Sequence, residues 1–317
     1  KSISQIILPN LLNGSVSISQ NNLLTTIDLP NLIKGSFNID QNESLTTINL
    51  PNYNNGNIYI YSNNNLTSIN CPNYTTGEQV IYYNAILSSI NFANYTSGKS
   101  RFMNNSSLNS INLPNFAEGD INIESNSSLN SFSLPNYKKG EFTIGNNSSL
   151  TSVALPSYYS GLPTSTTYAQ TITNNPLLTT IVLTSFNLGN ITIKNNNLLA
   201  TFNLPSFNNG SILLFSNTNL VNTSFPNFTD GVFELRDCNS IQQVNFPNLT
   251  TGRLQILYNS SLNSVTFPNL TNLKFGDNIG FYNNNLSSSM VNSILNKMLT
   301  VLPASGKNIR LDGQKPV

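Results

Sequence analysis

Two carboxylates stand 21 residues apart, Asp120 and Glu141, with Glu124 close by. The sequence repeats with the same period, so the two backbones should lie about 4.8 Å apart on neighbouring strands. Retaining glycosidases hold two carboxyl groups about 5–5.5 Å apart, which makes a polysaccharide depolymerase one hypothesis. The alternative is a structural charge ladder, because Glu78, Lys99 and Asp120 alternate in sign along the same row.

Composition excludes most other chemistry. The chain of 317 residues contains no His, so it cannot build a Ser-His-Asp or Cys-His nucleophile or a His-ligated zinc site. Its 14 Lys and Arg balance 13 Asp and Glu, whereas a nucleic-acid partner would need clustered positive charge. No apolar run approaches the roughly 18 residues of a membrane span. We therefore expect no enzyme activity, no cofactor, no metal, no nucleic-acid partner and no membrane insertion.

A repeat of 21 residues organises the chain, with a glycine five residues after a proline in most units. The prolines are Pro9, Pro30, Pro51, Pro72, Pro114, Pro135, Pro156, Pro205, Pro226, Pro247 and Pro268, and Ala93 and Thr184 fill the same position. The interval from Pro156 to Thr184 is 28 residues, so one unit carries seven extra residues near 162–168.

Each unit predicts two short β-strands. In one typical unit, apolar residues alternate after the glycine, at Phe37 and Ile39, and again before the next proline, at Ile48 and Leu50. Such alternation is typical of strands, and proline ends the second strand because it cannot donate to a ladder. A unit of this size cannot bury its apolar face alone, so neighbouring units must stack. The predicted fold is all-β, a parallel β-solenoid of about thirteen coils with two strands each over residues 1–286.

Asparagine keeps a strict register within the repeat. The position is occupied by Asn21, Asn42, Asn63, Asn84, Asn105, Asn126, Asn147, Asn175, Asn196, Asn217 and Asn259, with Cys238 in the one vacancy. A polar residue locked to the core register predicts an inward ladder whose amides bind backbone groups of adjacent coils. Cys71 and Cys238 fall on core positions of distant coils, so both should be buried free thiols.

Outward positions of the strand after each glycine supply the candidate binding residues. The pattern places Tyr59, Tyr61 and Tyr82 beside Arg101 and Met103 on neighbouring strands. Exposed aromatic rings form a platform on which sugar or peptide could stack. The alternative interpretation is that tyrosines decorate a sheet face because β propensity favours them.

The segments LTTINLPN at 45–52, LNSINLPN at 108–115 and LTSVALPS at 150–157 resemble leucine-rich repeats. The repeat is similar to the bacterial surface type that reads LTSIxLP and to the receptor L-domain type that reads GxLxIxxNxxL, over roughly residues 3 to 286. Cys at position 238 is a familiar exchange for Asn in that family. The second half of each unit reads as strand, not helix, which favours the two-sheeted, L-domain-like form. The resemblance implies extracellular binding or adhesion and carries over no catalytic residues.

The pattern changes in the C-terminal segment, residues 287–317. Apolar residues there follow helical spacing; Ser288 or Ser289 can cap the helix, and Pro303 can end it. A short strand is expected around Ile309. The segment therefore predicts a cap of one helix and one strand, and it resembles the ends of surface and phage-fibre proteins of Bacteroidetes-like bacteria.

The N-terminal coil shows no such cap. Ile3, Ile6 and Leu8 fall on the core register from the start. An uncovered first coil would leave apolar surface and strand edges open, so we expect an upstream segment or another chain to cover it.

Glycosylation signals bear on the origin of the chain. Asn-Ser-Ser sequons coincide with the inward ladder at Asn105, Asn126, Asn147 and Asn259, where a glycan cannot fit, which favours a bacterial or phage origin. The favoured hypothesis is an extracellular recognition module on a bacterial cell or virion surface. It would be an adhesin or a phage fibre or spike component that contacts a glycan or a host surface protein through one sheet face. A structural spacer rod displaying a fused module is the alternative, and a polysaccharide depolymerase is a weaker one.

Overall fold

The computed structural model describes residues 3–159, 169–274, 278–303 and 307–314. The chain is an all-β parallel β-solenoid of about 12 turns, with coils of about 21 residues and one short C-terminal helix. This confirms the fold class that the repeat predicts, with nearly the expected number of coils. The seven extra residues predicted near 162–168 lie outside the described residues. The chain divides into two compact units, Lys1–Leu155 and Pro156–Val317.

The first unit alternates short and long strands along the chain. In order they are β1 (Gln5–Ile7), β2 (Val16–Ser19), β3 (Thr26–Asp28), β4 (Lys34–Asp40), β5 (Thr47–Asn49), β6 (Asn55–Tyr61), β7 (Ser68–Asn70), β8 (Thr76–Tyr82), β9 (Ser89–Asn91), β10 (Ser97–Met103), β11 (Ser110–Asn112), β12 (Ile121–Glu124), β13 (Ser131–Ser133), β14 (Phe142–Gly145) and β15 (Ser152–Ala154). The even-numbered strands pair in parallel in sequential order. Each residue is paired with the one a full repeat further on, as Tyr59 is with Val80, so outward positions line up in rows across the sheet.

The second unit continues the alternation and ends in a helix and a strand. Its elements are β16 (Ala169–Thr173), β17 (Thr180–Val182), β18 (Leu188–Lys194), β19 (Thr201–Asn203), β20 (Asn209–Phe215), β21 (Asn222–Ser224), β22 (Asp230–Arg236), β23 (Gln243–Asn245), β24 (Thr251–Leu257), β25 (Ser264–Thr266), β26 (Asn272–Leu273), β27 (Asn278–Gly280), α1 (Ser288–Met298) and β28 (Asn308–Arg310). The long strands β16, β18, β20, β22 and β24 pair in parallel in that order, followed by β27 and β28.

An aromatic stack explains the fixed spacing of proline and glycine. Tyr74 and Tyr95, each two residues after the proline position, stack inside the core with ring centroids 5.3 Å apart. The Tyr95 hydroxyl donates a 2.8 Å hydrogen bond to the carbonyl oxygen of Gly77 in the preceding coil. A Cβ at Gly98, where φ is 138°, would overlap that same oxygen. Only glycine therefore lets the coils approach closely enough for the tyrosine to reach its acceptor.

The predicted Asn ladder is present inside the core. Its members Asn42, Asn63, Asn84, Asn105, Asn126, Asn147, Asn196, Asn217, Cys238 and Asn259 are all fully buried. Asn105 is typical: its Oδ1 accepts a 3.0 Å hydrogen bond from the backbone N–H of Asn84, and its Nδ2 donates to the Ile81 carbonyl at 2.9 Å. Its own backbone N–H donates to Asn126 Oδ1 at 3.1 Å. Each amide thus satisfies backbone groups that the turn would leave unpaired.

The C-terminal cap differs from expectation in one detail. Helix α1 is capped by Ser287, whose hydroxyl accepts a 3.3 Å hydrogen bond from the Met290 N–H. Ser288 and Ser289 were the predicted caps, but both already lie inside the helix, whereas Ser287 is extended with φ −68° and ψ 160°. After the helix, β28 pairs in parallel with β27, as the expected strand requires.

The first coil has exposed apolar side chains. Ile3, Ile7 and Leu8 are all exposed, and β1 and β2 stand at the ends of their sheets. That an upstream segment or another chain covers them stays a prediction.

Candidate functional site

Tyrosines from two neighbouring strands meet on the outward face of the long-strand sheet. Tyr59 and Tyr61 lie on β6 and Tyr82 lies on β8, with centroid separations of 6.2 Å for Tyr59 and Tyr61 and 4.3 Å for Tyr61 and Tyr82. The register sets this arrangement, because Tyr61 is paired directly with Tyr82, and Tyr82 with Met103 on β10. The three predicted tyrosines and Met103 therefore form one continuous group.

A fourth tyrosine, Tyr83, joins the group and was not predicted. Its ring lies 5.2 Å from that of Tyr82 in an edge-on arrangement, and the residue is 53% exposed. We call Tyr59, Tyr61, Tyr82 and Tyr83 the tyrosine patch.

Tyr83 occupies a strained backbone position. A residue with φ between 52° and 59° recurs in the described coils, after the outward-facing end of the long strand. Eleven of these thirteen residues are Asn, Gln, Ser or Asp, and the other two are Tyr83 and Tyr258. A bulky side chain in the left-handed region is an outlier that costs of order 1–2 kcal/mol. The signal in the sequence was therefore a tyrosine in a row whose members, apart from Tyr83 and Tyr258, are Asn, Gln, Ser or Asp.

Glu78 links two of the predicted residues. The Tyr59 hydroxyl donates a 2.9 Å hydrogen bond to Glu78 Oε2, and Arg101 Nη1 lies 2.8 Å from Glu78 Oε1. Arg101 is thus placed beside the tyrosines as predicted, but its charge is paired. The pairing leaves the patch with no net charge from these two groups.

The three predicted tyrosines are half-buried, although the sequence indicated exposed rings. Their rings contact one another, and Val80, which is paired with Tyr59 on the neighbouring strand, is only 7% exposed. An outward row on a sheet of closely spaced strands packs as a second apolar layer when its members are large.

The environment keeps the phenols of Tyr59 and Tyr61 neutral. Burial, followed by the nearby Tyr82 and Tyr59, raises the pKa of Tyr61 to about 12. Burial, followed by the hydrogen bond to Glu78, also raises the pKa of Tyr59. At physiological pH each hydroxyl can therefore both donate and accept a hydrogen bond.

The carboxylates considered for catalysis are engaged in structural contacts. Asp120 Oδ1 accepts a 3.2 Å hydrogen bond from the Glu141 backbone N–H, and Asp120 Oδ2 lies 3.3 Å from Lys99 Nζ. Burial, and then the charge of Asp120, raises the pKa of Glu141, while Lys99 opposes the shift. This arrangement has the contacts that a charge ladder along the row requires.

The described part of the chain offers few other groups that could act as nucleophiles or metal ligands. Cys71 and Cys238 are buried free thiols, and burial raises the pKa of Cys238 to about 12, so neither is a reactive nucleophile. No group of three or more Cys, Asp or Glu among the described residues is placed to hold a metal ion. None of the helices described is long and apolar enough to cross a membrane.

Comparison with known proteins gives no family: no family model matches the sequence, and no curated protein matches it significantly.

Proposed function

We propose that this protein is a non-enzymatic recognition module that binds a glycan, free or carried by a host surface protein, through the tyrosine patch. The observation that carries the proposal is the continuous contact of Tyr61, Tyr82 and Tyr83, with Tyr83 exposed in a backbone conformation that disfavours it. The fold needs no bulky residue there, because small polar residues fill the same position in most other coils. Strain retained at an exposed site is a feature of binding sites.

A glycan suits the chemistry of the patch. The C–H faces of a sugar pack on aromatic rings, and the phenolic hydroxyls can exchange hydrogen bonds with sugar hydroxyls. Tyrosine also offers large contact area at low conformational-entropy cost. The ion pair of Glu78 with Arg101 leaves no uncompensated charge in this pair, which favours a neutral or weakly charged ligand.

The setting we propose is extracellular, on a bacterial cell or a virion, as an adhesin or a fibre component. The four Asn-Ser-Ser sequons support it, because Asn105, Asn126, Asn147 and Asn259 are fully buried. N-glycosylation during secretion would attach a glycan to a ladder residue and prevent the coil from closing. The resemblance to leucine-rich repeats of surface proteins also favours an extracellular setting.

A glycan array tests the proposal. The wild-type chain should bind a subset of glycans, and the triple variant Tyr59→Thr, Tyr61→Thr, Tyr82→Thr should lose that binding while it stays folded, since threonine favours strands. Tyr159→Thr is a matched control, because Tyr159 is an exposed tyrosine outside the patch.

Two alternatives predict other results. A structural spacer would show the same attachment to arrays and host cells in the wild type and the triple variant. A depolymerase would release reducing ends from a capsular or cell-wall glycan, and Asp120→Asn or Glu141→Gln would abolish the release. We expect no such release, since both oxygens of Asp120 already have partners.

A further inference from the structure

The second unit carries its own strained tyrosine. Tyr258 has φ 59° and is 47% exposed, in the row where other coils place small polar residues. Its ring meets Tyr282 edge-on, with centroids 5.6 Å apart and an interplanar angle of 82°. The Arg310 guanidinium lies 3.9 Å from the centroid of Tyr282. Tyr282 thus packs against one side of Tyr258 and is itself covered by Arg310. Tyr258 is therefore the accessible ring of the pair.

A cleft opens beside Tyr258. It has a volume of about 410 Å³ and is lined by Asp237, Asn239, Tyr258, Ser260, Asn283 and Gly313, among others. This volume falls in the lower part of the roughly 300–1,000 Å³ range of small-ligand sites. Gly313, with φ 67°, keeps the cleft's far wall close, because a Cβ there would overlap the Asn283 side chain.

The polar groups of the cleft are only partly used by the protein. Neither the Asp237 carboxylate nor the Tyr258 hydroxyl has a hydrogen-bond or ion-pair partner among the described residues. Asn239 Oδ1 accepts hydrogen bonds from the backbone N–H and the hydroxyl of Ser260, at 3.1 and 3.2 Å, so its amide N–H groups stay available to a ligand. Arg310, which lies against Tyr282, is paired with Asp312 at 2.8 Å.

We propose that this cleft binds one sugar residue of a neutral glycan, with its C–H face on the Tyr258 ring. Asp237 would accept hydrogen bonds from two adjacent hydroxyls, and the Asn239 amide would donate to a third oxygen. An aromatic cage for a quaternary ammonium ligand would need a second open ring face, and Arg310 already occupies the face of Tyr282. The site is built from second-unit residues alone, so it stands whether or not the tyrosine patch binds.

The test is a titration of the folded chain with methyl glycosides of glucose, galactose, mannose and N-acetylglucosamine, followed by the NMR signals of the Tyr258 and Tyr282 rings. We expect at least one glycoside to shift both signals at millimolar concentration. Tyr258→Asn and Asp237→Asn should each weaken that affinity ten-fold or more, with the Tyr282 signals as reporter in the first variant. Asn adopts the left-handed backbone conformation of this position readily, so neither variant should lower the unfolding midpoint.

Tyr159→Asn is the control, since Tyr159 is an exposed tyrosine outside both the cleft and the tyrosine patch, and it should leave the titration of Tyr258 unchanged. The proposal is overturned if none of the glycosides shifts the two rings, if the shifts of Tyr282 survive in Tyr258→Asn with unchanged affinity, or if choline shifts the rings while the glycosides do not.

Discussion

The Tyr59 hydroxyl donates a 2.9 Å hydrogen bond to a carboxylate oxygen of Glu78 in the next coil. The other oxygen of Glu78 holds Arg101 at 2.8 Å, so a single carboxylate orients one ring and one guanidinium on adjacent strands. Glu78 and Arg101 therefore form a polar edge of the tyrosine patch. The hydrogen bond to Glu78 holds the Tyr59 ring in place.

Replacing Glu78 should change the titration of Tyr59. Burial raises the pKa of Tyr59 first, and the hydrogen bond and charge of Glu78 raise it further. In Glu78→Ala the pKa should fall, because both contributions of Glu78 are lost while the hydrogen bond with Asn57 and the charge of Arg101 still lower it. An NMR titration of the Tyr59 ring measures this shift. An unchanged pKa would show that Glu78 does not hold the ring in solution.

Removing one ladder amide should be costly. Asn105→Ala leaves the buried Asn84 N–H without its acceptor and the Ile81 carbonyl without its donor. Each buried group left unpaired costs about 1–3 kcal/mol, so the free energy of unfolding should fall by about 2–5 kcal/mol. Denaturant unfolding measures the change.

Cys238 provides a control for the ladder prediction. Its thiol lies 3.4 Å from the Arg236 carbonyl and replaces an amide, so this coil already tolerates a weaker partner. Cys238→Ala should therefore cost less than Asn105→Ala. Equal costs at the two positions would contradict a stabilising contribution from the hydrogen bonds of the Asn105 amide.

Replacing an unpaired polar side chain in the core with an apolar one should stabilise the folded chain. Gln79 is fully buried at a position that is Ile58 in the preceding coil, and neither atom of its amide has a partner among the described residues. Gln79→Leu removes both unpaired atoms and should raise the free energy of unfolding by about 1–3 kcal/mol. Asn84→Leu, at a fully bonded ladder position, should lower it. Destabilisation by Gln79→Leu would show that the amide has a partner in solution.

The Glu141 carboxyl should make stability depend on pH. Its folded pKa is raised above the ordinary value of 4.5, first by burial and then by Asp120. The folded state therefore binds the proton more tightly than the unfolded state, so the contribution of Glu141 is fully present below about pH 4.5 and is lost as pH rises through the folded pKa. Relative to wild type, Glu141→Gln should gain stability across this rise. Parallel curves for the two proteins in denaturant unfolding at a series of pH values would contradict this.

The period of the sequence was enough to predict the register, and with it much of the site. Because equivalent residues of successive coils pair directly, the 21-residue spacing places Tyr61 beside Tyr82 and Tyr82 beside Met103 without further information. The same logic puts the Asn row inside the core, where hydrogen bonding to backbone groups permits it.

Features that depend on side-chain packing or on local dihedral angles were not predictable in the same way. Half-burial of the tyrosines accompanies contacts among the large outward rings themselves, which alternation of apolar residues does not report. The left-handed position of Tyr83 follows from where the strand ends, and a period of 21 alone does not locate that end. The helix is capped by Ser287, not by the predicted Ser288 or Ser289. Three consecutive serines carry equivalent capping signals, so the sequence does not show which of them precedes the first helical turn.

The most direct measurement of glycan binding by the tyrosine patch compares two dissociation constants. Isothermal titration with the glycan best bound on the array should give at least ten-fold weaker binding to Tyr83→Asn than to wild type, a loss of about 1.4 kcal/mol or more. The unfolding midpoint of the variant should be unchanged or higher, because Asn relieves the backbone strain, and Tyr159→Asn should bind like wild type. Equal dissociation constants for Tyr83→Asn and wild type would contradict the assignment of this patch as the binding surface.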